Sequence, residues 1–118
     1  MKQLGILFTR APHGTPRGRE ALDLALLGAS YDIPTRLFFC GDGVYQLLKG
    51  QRPGSIEGRD YIATFKALPL YDVEEIWVCA TSLAERGLTG DDLLMAVDVA
   101  DKAHFAQELN QTEQVLTF

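Results

Sequence analysis

Two cysteines carry most of the chemistry that this sequence offers. Cys79 follows a short apolar segment rich in strand-forming residues, and the small residues after it begin a predicted helix. Backbone N–H groups and the positive end of a helix dipole favour the thiolate, the form that attacks sulfur or accepts it as a persulfide. Arg86, further along that helix, would add positive charge. Cysteine is also commonly buried, so packing as a small apolar side chain is the alternative interpretation.

Other residues lie where they could belong to the same site. Cys40 ends a second apolar segment, and it could act as a resolving thiol if its Cα lies within about 7 Å of that of Cys79. His13 could act as a base or a cation beside a thiol. Asp42 stands between two glycines, and Ser82 follows Cys79 in the third loop. The alternatives are a packed cysteine, an exposed loop histidine and, for Asp42, a turn residue.

Short apolar segments alternate with helical segments and predict the elements that position these residues. The predicted strands are 4–8, 35–40, 75–79, 94–99 and 114–118. The predicted helices are 16–30, 44–48, 59–68, 82–86 and 101–109, and 49–58 is predicted to be a surface loop. This order predicts an α/β fold with one domain over 1–118: a mostly parallel sheet of about five strands, with helices on both faces as in flavodoxin.

The topology of such a sheet predicts that the candidate residues lie at the same edge of the sheet. Sites in open parallel sheets gather beyond the carboxyl ends of the strands. The loops that begin there are 9–14, 40–43 and 79–82, and they contain both cysteines and His13. We therefore expect the site at this edge.

Composition and charge argue against several classes of protein. The formal net charge is −5, with 11 basic and 16 acidic residues and no basic cluster, which disfavours direct binding to nucleic acid. The most apolar stretch, 21–29, is too short for a membrane span, and the first apolar segment meets Arg10 too soon for a signal peptide. Two distant cysteines predict neither a zinc site nor a disulfide framework. We expect a cytoplasmic protein without metal or cofactor.

Apolar residues exceed what a small domain obviously needs. The predicted helix 16–30 is apolar around most of its circumference, which is typical of a helix covered on a second side. Aromatic and aliphatic residues also concentrate around the middle helices, where a subunit interface competes with core packing as the explanation. The interface candidates are Tyr45, Tyr61, Phe65, Leu68 and Tyr71.

Six segments, in this order and spacing, carry a resemblance that spans nearly the whole chain. They are FTRAPHGT (8–15), REALD (19–23), DGVYQLL (42–48), RDYIATFK (59–66), YDVEEIWVC (71–79) and SLAERGL (82–88). Through them the sequence resembles small members of the DsrE/DsrF/DsrH family. The resemblance implies that family's α/β fold.

The same resemblance implies a function in sulfur relay. It implies a heterohexamer with TusB-like and TusD-like subunits that passes persulfide sulfur toward 2-thiouridine at the tRNA wobble position. A TusA-like carrier would deliver the sulfur and a TusE-like carrier would receive it. The family's main carrier cysteine belongs to the TusD-type subunit, in the loop where this chain has Cys79, so an accessory role is implied here.

Other functions stay open at this point. Cys79 could itself carry a persulfide, which would make the chain a sulfurtransferase. A DsrF-type subunit in dissimilatory sulfur oxidation would have the same assembly in a different pathway. A small-ligand-binding module of flavodoxin type is more remote, because the sequence contains no phosphate-binding motif.

Overall fold

The computed structural model describes residues 3–10, 17–31, 33–47, 75–93 and 97–118. The strands are β1 (Leu4–Phe8), β2 (Thr35–Phe39), β3 (Glu75–Cys79), β4 (Asp98–Ala100) and β5 (Gln114–Thr117). The helices are α1 (Arg17–Ser30), α2 (Ala80–Glu85) and α3 (Lys102–Gln111), and 3₁₀ helices span Gly41–Leu47 and Gly90–Asp92.

The five strands form one sheet in the order β4-β3-β2-β1-β5, and every neighbouring pair is parallel. The central strand β2 is buried along its whole length. A parallel strand covered on both faces needs such a continuous buried sequence. The predicted fold class is therefore confirmed.

Side-chain alternation along the strands divides the core between the two faces of the sheet. Leu37 and Phe39 lie on the face covered by α1 and α2, where the Phe39 ring stacks on that of Phe8 at 4.5 Å between centroids. Phe38 lies on the opposite face, where its ring meets the edge of Phe105 of α3 at 5.6 Å. Helices thus cover both faces, and α3 is the described helix that packs on the Phe38 face.

Local signals explain where the later helices begin and end. The Asp101 side chain accepts a hydrogen bond from the backbone N–H of His104 at 2.7 Å, and so caps the first turn of α3. Gly87 follows α2 with a φ of 68°, a conformation that glycine adopts without steric cost. No helix in the described part of the chain is long and apolar enough to cross a membrane.

Some predicted bounds were wrong. The strand expected at 94–99 is only Asp98–Ala100, with residues 94–96 outside the described ranges. It is short and lies at the sheet edge, where Val99 is 45% exposed, so apolar periodicity marks it poorly. The helix expected at 82–86 begins at Ala80, and the one expected at 44–48 is the 3₁₀ helix Gly41–Leu47. The predicted loop 49–58 and helix 59–68 lie outside the described residues.

Candidate functional site

The two cysteines lie side by side at the carboxyl edge of the sheet. In the parallel pair β2–β3, the last registered residues are Phe39 and Val78, so the next position places Cys40 beside Cys79. Both side chains belong to the α3 face, where they pack in one cluster with Phe38. The two thiols therefore face the same space from neighbouring strands.

Both cysteines are free thiols, and they differ in exposure. Cys79 is 6% exposed, whereas Cys40 is half-buried. Burial raises the pKa of the Cys40 thiol above its ordinary value, and the electrostatic repulsion between the Cys40 and Cys79 thiols raises it further, while the positive charge of Arg86 opposes the rise. Cys40 is consequently a weaker acid than an ordinary cysteine.

A cavity of about 330 Å³ opens between α3 and this edge of the sheet. Both cysteines line it, so a group attached to either sulfur would have space there. Its other lining residues include Ser82, Lys102, Phe105 and Leu109. The cavity is mainly apolar, with Lys102 and Glu85 as charged neighbours of opposite sign, and its volume leaves space for a small sulfur-bearing group.

Hydrogen bonds join the loop after β2 to α2. The Gly41 N–H donates to Oγ of Ser82 at 2.9 Å. Arg86 donates from Nη1 to the Ser82 carbonyl at 3.0 Å and from Nη2 to Oδ1 of Asp42 at 2.9 Å. The Arg86 guanidinium also lies 6.0 Å from the ring centroid of Tyr45. These contacts fix the two cysteine-bearing strand ends relative to each other.

The end of β1 supports the same loop from the other side. The Cys40 N–H donates to the Phe8 carbonyl at 3.1 Å, and Gly41 turns the chain with a φ of 55°. Gly43 passes so close that a Cβ there would collide with the Phe8 carbonyl. Only glycine fits at that position, and the loop is held tightly at the sheet edge.

Arg36 connects α3 to the first paired residues of β2 and β3. Its side chain is almost completely buried and pairs with Glu108 at 2.7 Å and with Glu75 at 3.2 Å. Nη1 also donates to Oγ1 of Thr112 at 3.0 Å, and the guanidinium lies 5.4 Å from the ring centroid of Phe38. Charged hydrogen bonds in such a site are stronger than exposed ones, so Arg36 fixes the helix that forms one wall of the cavity.

The structure brings most of the predicted site residues together. Cys40, Asp42, Ser82 and Arg86 all lie around the strand end that carries Cys79. His13 lies outside the described residues. Of the interface candidates, Tyr45 is described and half-buried, and the other four lie outside the described ranges.

Two features of the site go beyond what the sequence suggested. Arg86, which was expected to add positive charge near Cys79, pairs with Asp42, and its charge opposes the rise in the pKa of Cys40. The α3 residues that line the cavity were not foreseen, although the four-residue spacing of Phe105 and Leu109 could have signalled an inward face. Within the described ranges, no group of three or more His, Cys, Asp or Glu residues could hold a metal ion.

The fold is a parallel α/β sheet, and two adjacent free thiols at its carboxyl edge line an apolar cavity. These features define the chain as a small α/β protein with a thiol site. Its family follows from comparison with known proteins. The model of the DsrE/DsrF-like family matches residues 2–118, and the chain belongs to this family. The resemblance seen in the sequence is confirmed.

Curated relatives and solved structures agree with this assignment. A TusC homolog from Aliivibrio fischeri is 45% identical over 118 residues, covering 100% of both chains. The TusC protein of Shigella flexneri serotype 5b is 54% identical over 88 residues, covering 75% of this chain and 74% of that protein. The crystal structure of the ychN protein from Escherichia coli matches with a TM-score of 0.84 and 28% identity, covering 100% of both chains. A protein of unknown function from Methanobacterium thermoautotrophicum, 17% identical with a TM-score of 0.70 and complete coverage of both chains, shares the fold.

Proposed function

We propose that this chain is a subunit of a sulfur-relay complex that passes persulfide sulfur toward 2-thiouridine at the wobble position of tRNA. The observation that carries the proposal is its full-length similarity to TusC homologs within the DsrE/DsrF-like family. The TusC names of these relatives favour this pathway over a DsrF-type role in sulfur oxidation. Its place of action would be the cytoplasm.

Its partners in this proposal are proteins rather than nucleic acid. TusB-like and TusD-like subunits would complete a heterohexamer, and TusA-like and TusE-like carriers would reach the chain through that complex. A formal net charge of −5 without a basic cluster supports protein partners, because binding to tRNA phosphates needs concentrated positive charge. Exposed apolar side chains such as Leu27 and Tyr31 support them as well.

The state of the two thiols supports an accessory role in the relay. Sulfur transfer between proteins needs a thiolate that its partner can reach. Cys79 is 6% exposed and Cys40 is half-buried, so neither thiol is fully presented to a partner protein. The main carrier cysteine would then belong to the TusD-like partner.

A second candidate is that Cys79 itself carries a persulfide. The cavity favours this candidate, because both cysteines line it and its volume of about 330 Å³ leaves space for an added sulfur atom. The two candidates differ in whether thiolation of tRNA depends on Cys79.

Deletion of the gene for this chain in its own host tests the proposal and separates the two candidates. We expect 2-thiouridine in tRNA, measured by mass spectrometry of nucleosides, to fall sharply and to return with the wild-type chain. Under the accessory role, the Cys79→Ser variant restores it equally well. Failure of Cys79→Ser, present in cells at the level of the wild-type chain, would favour Cys79 as carrier, and unchanged 2-thiouridine after deletion would contradict both candidates.

A further inference from the structure

We propose that Cys40 and Cys79 form a resolving dithiol that discharges sulfane sulfur. When Cys79 carries a persulfide, Cys40 displaces the outer sulfur as hydrosulfide, and a Cys40–Cys79 disulfide forms. This step rests on the proposed connection of the chain to persulfide chemistry. It does not require that Cys79 be the main carrier of the relay.

Sheet geometry places the two cysteine Cα atoms within the range of a disulfide. Neighbouring strands lie about 4.8 Å apart, and disulfides form between Cα atoms separated by about 4.4 to 6.8 Å. Cys79 ends β3, and Cys40 directly follows β2, one position beyond the registered pair Phe39–Val78. Both cysteines pack in the same cluster on the α3 face, so their thiols share one side of the sheet.

The surrounding contacts keep this arrangement in place. The Cys40 N–H is bonded to the Phe8 carbonyl, and the next residue, Gly41, donates to Oγ of Ser82 in the helix that follows Cys79. The cavity that both cysteines line gives the leaving sulfur a route out of the protein. The two sulfurs are thus held together beside open space.

The reaction balances without an external oxidant. The Cys40 thiol loses its proton to solvent, and the thiolate attacks Sγ of Cys79. The bond between Sγ and the outer sulfur breaks, and its electron pair leaves with the outer sulfur as hydrosulfide. The outer sulfur is reduced, and the two cysteine sulfurs are oxidised to the disulfide. Hydrosulfide is a weaker base than a cysteine thiolate and so the better leaving group. The persulfide itself comes from an inorganic polysulfide or a protein persulfide.

Treatment of the purified full-length chain with inorganic tetrasulfide under anoxic conditions tests the step. After denaturation and alkylation, we expect wild-type protein to have lost two hydrogen atoms, to resist alkylation at both cysteines and to have released hydrosulfide. In Cys40→Ser we expect one added sulfur atom to persist on Cys79, with an adduct roughly tenfold more abundant than in wild type. Cys40→Ala, which keeps the side chain small, gives a second variant, and circular dichroism checks that each is folded.

Three results would overturn the proposal. The first is an equally abundant persulfide in wild type and Cys40→Ser, the second is a disulfide that forms only between two chains, and the third is a lack of any reaction of the thiols with tetrasulfide. The readout uses the isolated chain, so it is independent of tRNA thiolation in cells. A chain that fails to support thiolation of tRNA could still form the disulfide. A chain that supports thiolation could likewise fail to form it, so the two failures are distinguishable.

Discussion

At the scale of single residues, the position of Cys40 depends on the glycines that follow it. Gly41 turns the chain with a positive φ, and Gly43 lies directly against the Phe8 carbonyl. The two glycines place the loop after β2 at the sheet edge, where Cys40 lies beside Cys79. The site therefore depends on backbone fit as much as on the reactive side chains.

Substitution Gly43→Ala should disturb both the fold and the site. An added Cβ collides with the backbone of Phe8, which cannot move without breaking β1, so we expect a loss of about 3 kcal/mol in the free energy of unfolding. Urea denaturation measures the loss. Gly90→Ala is the matched control, because a Cβ there meets only ordinary van der Waals contact, and equal stability of the two variants would contradict this account.

The sequence predicted the positions of the two cysteines more reliably than their interactions. Both cysteines were predicted at the carboxyl edge, because the ends of their strands could be read from apolar segments and turn residues. The pairing of Arg86 with Asp42 could not be predicted, because it joins residues 44 positions apart, one at the end of α2 and one in the 3₁₀ helix after β2.

At the scale of elements, α3 completes the site because a buried ion cluster holds it on the sheet. Arg36 of β2 pairs with Glu108 of α3 and also donates to the Glu108 carbonyl at 3.0 Å. The adjacent α3 residue, Leu109, lines the cavity. The helix wall of the cavity is thus linked directly to the central strand.

Replacement of this arginine tests the link. Arg36→Met keeps the apolar stem but leaves Glu108 without its buried partner, and we expect a loss of about 3 kcal/mol in the free energy of unfolding. Arg86→Met is the matched control. Its pair with Asp42 is more exposed, and we expect a loss below about 1 kcal/mol. Similar losses in the two variants, measured by urea denaturation, would show that Arg36 does not anchor the helix.

The bounds of strands were predicted well where the local sequence pattern is strong. They were predicted poorly where tertiary packing determines the element. The strands at 4–8 and 75–79 match the structure because continuous apolar segments mark buried parallel strands. Strand β4 was misplaced because an edge strand of three residues carries little apolar pattern. That α3 covers the thiols depends on which face of the sheet it packs against, and the sequence alone does not specify that face.

At the scale of the whole molecule, exposed apolar side chains point to further protein contacts. Leu27 is 54% exposed and Tyr31 73% exposed, and both lie at the end of α1, the helix predicted to be covered on a second side. Neighbouring exposed apolar side chains are suited to contact with another protein. Such assembly agrees with the proposed place of the chain in a relay complex.

Size-exclusion chromatography coupled to light scattering tests the proposed role of the chain as a subunit of a relay complex most directly. The chain is co-expressed with the TusB-like and TusD-like proteins of the same genome and is then purified through a tag on one of those partners. We expect all three proteins to elute together as one stoichiometric hetero-oligomer whose mass far exceeds that of this chain. A chain that elutes alone as a monomer, while the other two assemble without it, would contradict the proposed function.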